Sequence, residues 1–126
     1  MMNYPENLKY TREHEWLRVE DGEAVIGITA FAQKELGDIV FIDIDTEGET
    51  LAAGEKFGAV EAVKTVSDLL MPVDGEVLAI NSLLEIAPET VNKDPYGDGW
   101  MIRILLKNSA DVDRLMSAAE YEAFVN

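Results

Sequence analysis

The sequence predicts a mainly β fold, an antiparallel sandwich or barrel, carrying short helices at its flanks and a helical tail. Three observations point to it. Two short runs, EWLRVE and EAVIGI, that read as strands meet at Asp21-Gly22, a dipeptide favoured in tight hairpin turns. Between residues 38 and 80, short runs rich in β-branched and apolar residues are punctuated by Gly48, Gly54, Pro72 and Gly75. Beyond Ser109 the apolar period lengthens from that of a strand to that of a helix.

Taken in order, EWLRVE at 15–20 and EAVIGI at 23–28 form the opening hairpin. Thr29 then caps AFAQKEL, in which Phe31, Ala32, Glu35 and Leu36 recur at helical spacing, and Gly37 ends the helix. The runs IVFIDID, FGAVEAV, VSDLLMPV and GEVLAI read as strands. GDIVFID at 37–43 and GEVLAIN at 75–81 resemble each other, which hints at an internal duplication. In the stretch 81–100, Pro88, Asn92, Pro95, Gly97 and Gly99 argue against a long regular helix. WMIRILL at 100–106 is the closing strand. Val112, Leu115 and Met116 share a helical face, and Ser117 with Glu120 makes a capping box before YEAFV, so two short helices are expected in the tail. No linker interrupts the 126 residues, and one domain over 1–126 is expected.

Twenty-five Asp and Glu against ten Lys and Arg give a formal net charge of −15, which repels nucleic-acid phosphates and anionic membranes. Such a charge suits a monomer that stays dissolved at high concentration and is steered briefly onto basic partners. There are no cysteines, so disulfides and thiolate chemistry are excluded. MMNYPENLKY lacks the basic and apolar regions of a secretory signal, and no apolar run reaches a membrane-spanning length, so a cytoplasmic location is expected. His14 is the only histidine, and nothing sets a serine against it as a triad requires. The scattered carboxylates give no metal-ligand spacing, DPYGDG at 94–99 lacks the closing Glu of a calcium loop, and no glycine-rich phosphate cradle follows a strand. The chain is not expected to be an enzyme.

What stands out is Lys64 in AVEAVKTVSDLLMP, a lone cation between two apolar β-branched runs, with Glu61 and Asp68 on either side. Spacing alone allows a solvated charge at a strand end. It also allows a hairpin-tip amine that a modifying enzyme can reach, with a rigid sheet beneath to fix the root of any attached cofactor.

EAVKTVSD resembles the lipoyl-attachment hairpin of the glycine cleavage H proteins, whose usual form is ESVK followed by SD. The likeness extends through KYTREHEW at 9–16, GIT and AQKELGDIVF within 27–41, FGAVEAVK at 57–64, GEV from Gly75, and NKDPYGDGWMIRI at 92–104. It implies a barrel-sandwich hybrid of two antiparallel sheets, with lipoate joined by an amide to Lys64. It implies three partner enzymes: a glycine decarboxylase that loads an aminomethyl group, an aminomethyltransferase, and a dihydrolipoamide dehydrogenase. A lipoate ligase or a lipoyl or octanoyl transferase would attach the arm. The loaded amine is sheltered in a cleft in that family, and by motif position Glu15 and Asp68 are the acids expected near it, with His14 and Trp16 in the same motif. Ala62 stands where serine is usual, and Glu13 replaces a small polar residue; both bear on ligase recognition or on the fit of the arm. A biotin carrier would show Met-Lys-Met, against Val63-Lys64-Thr65 here. The alternative within carriers is an H-like lipoyl relay serving 2-oxoacid dehydrogenases.

Overall fold

The computed structural model describes residues 3–126. Its strands are β1 (Lys9–Tyr10), β2 (Glu15–Glu20), β3 (Glu23–Ile28), β4 (Ile39–Asp43), β5 (Thr50–Leu51), β6 (Lys56–Ala62), β7 (Val66–Leu70), β8 (Gly75–Ile80) and β9 (Ile102–Leu106). Helices α1 (Ala30–Leu36), α2 (Leu83–Ile86), α3 (Thr90–Lys93) and α4 (Ala118–Val125) lie between and after them. One sheet runs β1-β2-β3-β9-β8-β5 and the other β4-β6-β7, with every pairing antiparallel. The expected two-sheet architecture is therefore present, and among the described residues the sheets do not close into a barrel. No helix of the described residues is long and apolar enough to cross a membrane.

Local rules account for most of the boundaries. Asp21 and Gly22 both adopt positive φ, 50° and 80°, as a two-residue turn between strands of right-handed twist requires. Thr29 accepts the Ala32 N–H through its hydroxyl and starts α1, while Gly37 ends it at φ 77° and ψ −154°, a conformation open only to glycine. Ser117 and Glu120 form the expected reciprocal capping box on α4.

Side-chain alternation then sorts the strand residues into two cores. Leu17, Ile26, Val77, Ile102 and Ile104 of the larger sheet bury against Ile42, Phe57, Val60 and Leu69 of the smaller one. The outer face of the larger sheet carries Trp16 and Val25, which pack with Leu8, Tyr10, Ala118 and Tyr121 beneath α4. The rings of Tyr10 and Tyr121 stack there, 4.8 Å apart and 10° from parallel.

Several expectations are corrected. The two-residue strands β1 and β5 carry too short a pattern to be read from sequence. The segment 81–100 has no long regular helix, as expected, though it holds two single-turn helices, α2 and α3, among its turns. The first tail helix is a 3-10 helix, Ser109–Arg114, which stops before Leu115 and Met116. Met116 instead exchanges two 2.9 Å backbone hydrogen bonds with Tyr10, a non-local pairing that outweighs the local period. The two similar segments become β4, at an edge of the smaller sheet, and β8, between β9 and β5 of the larger, so sheet order gives them no equivalent places.

Gly27 faces Trp16 across β2 and β3, and a Cβ there would lie 2.8 Å from three indole atoms. The indole has little freedom to yield, because it is fully buried and its Nε1 donates to the Pro95 carbonyl at 2.9 Å. Gly27→Ala is accordingly predicted to cost about 1–3 kcal/mol of stability, read as a lower urea midpoint at unchanged slope.

Candidate functional site

The β6–β7 hairpin ends at the pair Glu61–Val66, leaving 62–65 as its tip. The Ala62 N–H donates to the Thr65 carbonyl at 2.8 Å and closes the turn. The Val63 N–H donates outward to the Asp38 carbonyl at 3.0 Å, which ties the tip to the segment joining α1 and β4. Lys64 is exposed and has no ion-pair partner within 4 Å among the described residues. Its side chain runs over Gly37, where an added Cβ would sit 3.4 Å from Lys64 Cε. The tip thus offers a reachable primary amine on a backbone anchored at two points.

The strand pleat divides its neighbours. Glu61 points to solvent, whereas Ala62 is buried opposite Ile39. Position 62 therefore faces the interior, and its small side chain is matched to a packed site. Val63 and Val66, on either side of Lys64 in sequence, stand 76% and 64% exposed.

Beside this tip lies a narrow cleft of about 160 Å³. Ile28, Ala32, Leu36, Val60 and Leu69 give it apolar walls, and Glu13, Glu35, Ser67 and Asp68 give it a polar margin. Leu36 immediately precedes Gly37, so the cleft wall leads directly to the residue beneath Lys64.

Glu15 lines the cleft with a carboxyl group that is almost fully buried. Thr11 Oγ1 donates to its Oε1 at 3.0 Å and the Leu70 N–H to its Oε2 at 3.3 Å. Burial outweighs these bonds and pushes the carboxyl up to about 8. Asp68 is more exposed and pairs with Lys56 Nζ at 3.3 Å. His14 also lines the cleft, at a positive φ of 71°, with Nδ1 2.7 Å from the Tyr121 hydroxyl. Burial holds its imidazole below the usual range, against the opposing pull of Glu13 and Glu35.

His14, Glu15 and Asp68 thus share one cleft at the foot of the Lys64 hairpin. Trp16 does not join them, since it lies wholly in the second core. The α1 contribution to the cleft was not assigned from sequence, although its signal is there: Ala32, Glu35 and Leu36 fall on one helix face. Chemically, apolar walls with carboxylates among them accommodate a slender apolar chain that ends in a cation, because a buried carboxylate gains most from a charged hydrogen-bond donor.

A raised carboxyl on Glu15 has a stability consequence with a definite sign. Between the unfolded value of about 4.5 and the folded value of about 8, the native state binds the extra proton, so stability contributed by the neutral form is lost as pH rises through that window. Glu15→Gln keeps the shape without the ionisation. The wild-type stability minus that of Glu15→Gln should therefore fall from pH 4.5 to 8 in urea titrations; a flat difference would contradict the burial argument.

Comparison with known proteins places this architecture. A family model described as Glycine cleavage H-protein matches residues 8–126. The Glycine cleavage system H protein of Bacteroides fragilis is 60% identical over 125 residues, 99% of each chain. That of Salinibacter ruber is 58% identical over 120 residues, covering 95% of this chain and 97% of its own. The crystal structure of a glycine cleavage system H protein from Mycobacterium marinum superposes with a TM-score of 0.88 at 38% identity, covering 95% of this chain and 97% of that one.

Proposed function

The chain belongs to the glycine cleavage H-protein family, and from that membership we propose that it is a non-catalytic carrier whose Lys64 holds lipoate in amide linkage. The observation that carries the proposal is the tip geometry: a free, exposed amine on a hairpin whose backbone is held by both its own turn and Asp38. Lipoate supplies, when bound, a dithiolane that accepts the aminomethyl group and returns as a dithiol for reoxidation.

The chain's own residues do the rest. Lys64 gives up its charge on forming the amide, so the arm can leave water for a partner's active site. Ile28, Leu36, Val60 and Leu69 offer that arm an apolar resting place. Glu15 and Asp68 line the cleft that would receive a terminal amine; a cation beside Glu15 would offset the cost of ionising it, so cargo binding and deprotonation of Glu15 would be coupled. Burial lowers the His14 imidazole below its usual range, which disfavours a charge there that would repel a cationic cargo.

The partners under this proposal are the glycine decarboxylase, the aminomethyltransferase and the dihydrolipoamide dehydrogenase, with a lipoate ligase or lipoyl or octanoyl transferase for attachment. The chain acts as one domain and a monomer in the cytoplasm. Its −15 charge steers it to basic partner surfaces.

Lys64→Arg preserves the exposed charge and removes the acylable amine. It is predicted to abolish glycine–CO2 exchange with the decarboxylase while changing stability by less than about 0.5 kcal/mol. Wild-type protein that accepts lipoyl groups and passes them to 2-oxoacid dehydrogenases, yet supports no exchange, would overturn the glycine cleavage role. The wild-type exchange rate at subsaturating carrier should also fall as salt is raised, because exposed charges are screened beyond ~8 Å at physiological ionic strength; a salt-independent rate would contradict electrostatic steering.

A further inference from the structure

The segment NKDPYGDGW, 92–100, lies away from the hairpin in sequence, yet it grips α1 at both ends. The Tyr96 hydroxyl accepts the Ala30 N–H at 2.9 Å, at the start of the helix. At its end, the amide of Asn92 is fully engaged. Nδ2 donates to the Gly37 carbonyl at 2.9 Å and to Gln33 Oε1 at 3.0 Å, and Oδ1 accepts the Ile39 N–H at 3.0 Å. The two backbone groups that Asn92 holds flank Asp38, whose carbonyl receives the Val63 N–H. Gly37 is the residue over which Lys64 lies.

We infer that Asn92 is a positioning residue for Lys64: its side-chain amide fixes the 37–39 segment that anchors the hairpin tip, and so sets where the lysine stands and where the arm begins. The inference rests on the reading of Lys64 as the lipoyl site.

The physical need is specific. A helix end leaves carbonyls without intrahelical partners, and the turn through Gly37 into β4 takes the chain out of the helix before the strand ladder begins. A register shift between Ile39 and Phe41 further loosens the start of β4. Without Asn92, the Gly37 carbonyl and the Ile39 N–H lose their partner together, and the segment between them is free to move with the Val63 contact. Asn92 is itself steady: its N–H donates to the Glu89 carbonyl at 3.0 Å, and its neighbour Val91 is fully buried.

A merely structural tie would weaken the fold without regard to Lys64. Asn81 supplies the matched control, because its Nδ2 donates to the Asp98 and Trp100 carbonyls at 2.8 and 2.7 Å and its Oδ1 accepts the Leu83 N–H at 3.2 Å. It makes as many bonds as Asn92 and none to the 37–39 segment. The experiment takes the full unmodified chain as wild type, Asn92→Ala, Asn92→Asp and Asn81→Ala. It measures the kinetics of lipoyl transfer to Lys64 by a purified lipoate ligase, and the hydrogen exchange of the Val63 amide. Asn92→Asp retains the acceptor for Ile39 and loses both donors, so it tests the role even if the alanine variant does not fold.

Both Asn92 variants are expected to lose about 10- to 100-fold in kcat/KM for acylation, the scale on which small misplacements of a reacting group act. The Val63 amide should exchange faster in them than in Asn81→Ala, whose acylation should match the wild type. Acylation of the Asn92 variants at the wild-type rate, or an equal loss in Asn81→Ala, would overturn the role while leaving the carrier reading intact. A wild-type chain that takes no lipoyl group at Lys64 would overturn the carrier reading and the role with it.

Discussion

The hydrogen bond from the Val63 N–H to the Asp38 carbonyl, 3.0 Å long, is the point on which the arrangement around Lys64 depends. A carrier lysine must meet two demands that oppose each other: its amine has to project into water, where hairpin tips ordinarily fray, and its backbone has to stay fixed so that the arm has a defined origin. The β6–β7 ladder meets the second demand along most of the hairpin, and its last pair is Glu61–Val66. Beyond that pair, the Asp38 contact and the closing Ala62–Thr65 bond are what hold the tip. Because Asp38 sits where α1 passes into β4, the same contact joins the candidate arm root to the helix that walls the cleft.

Charge is distributed with the same economy. The protein as a whole is strongly acidic, yet Lys64 stands between two exposed valines and clear of any carboxylate within ion-pairing distance among the described residues. The acids near it are of two kinds. Asp68, exposed and paired with Lys56, contributes a field that salt screens. Glu15, buried with two hydrogen-bond donors, is held close to neutrality by desolvation. Under the proposed role, one cleft would thereby receive a neutral arm and still distinguish an arm that ends in a charged amine.

How much of this was legible in sequence follows from which features are local. The Asp21-Gly22 turn, the Thr29 cap and the Ser117–Glu120 box are settled within a few residues, and each appears as the pattern indicates. The Lys64 hairpin is legible for the same reason. The cleft is not, because β2, β3, α1, β6 and β7 each contribute to it and only the fold brings them together. Glu15 and Trp16 share a motif but occupy adjacent positions on a strand, so alternation sends one to the cleft and the other to the second core. The tail departs from its helical period for a related reason: Met116 satisfies its backbone against Tyr10, more than a hundred positions away in the chain. Asn92 belongs with these non-local features, since its partners lie 53 to 59 positions earlier.

The most direct test of the central claim is the intact mass of the protein, followed by peptide mapping, after production in cells supplied with lipoate. The account predicts an added mass of one lipoyl group, localised to Lys64. An unmodified Lys64 in cells whose other lipoyl proteins are fully modified would contradict it.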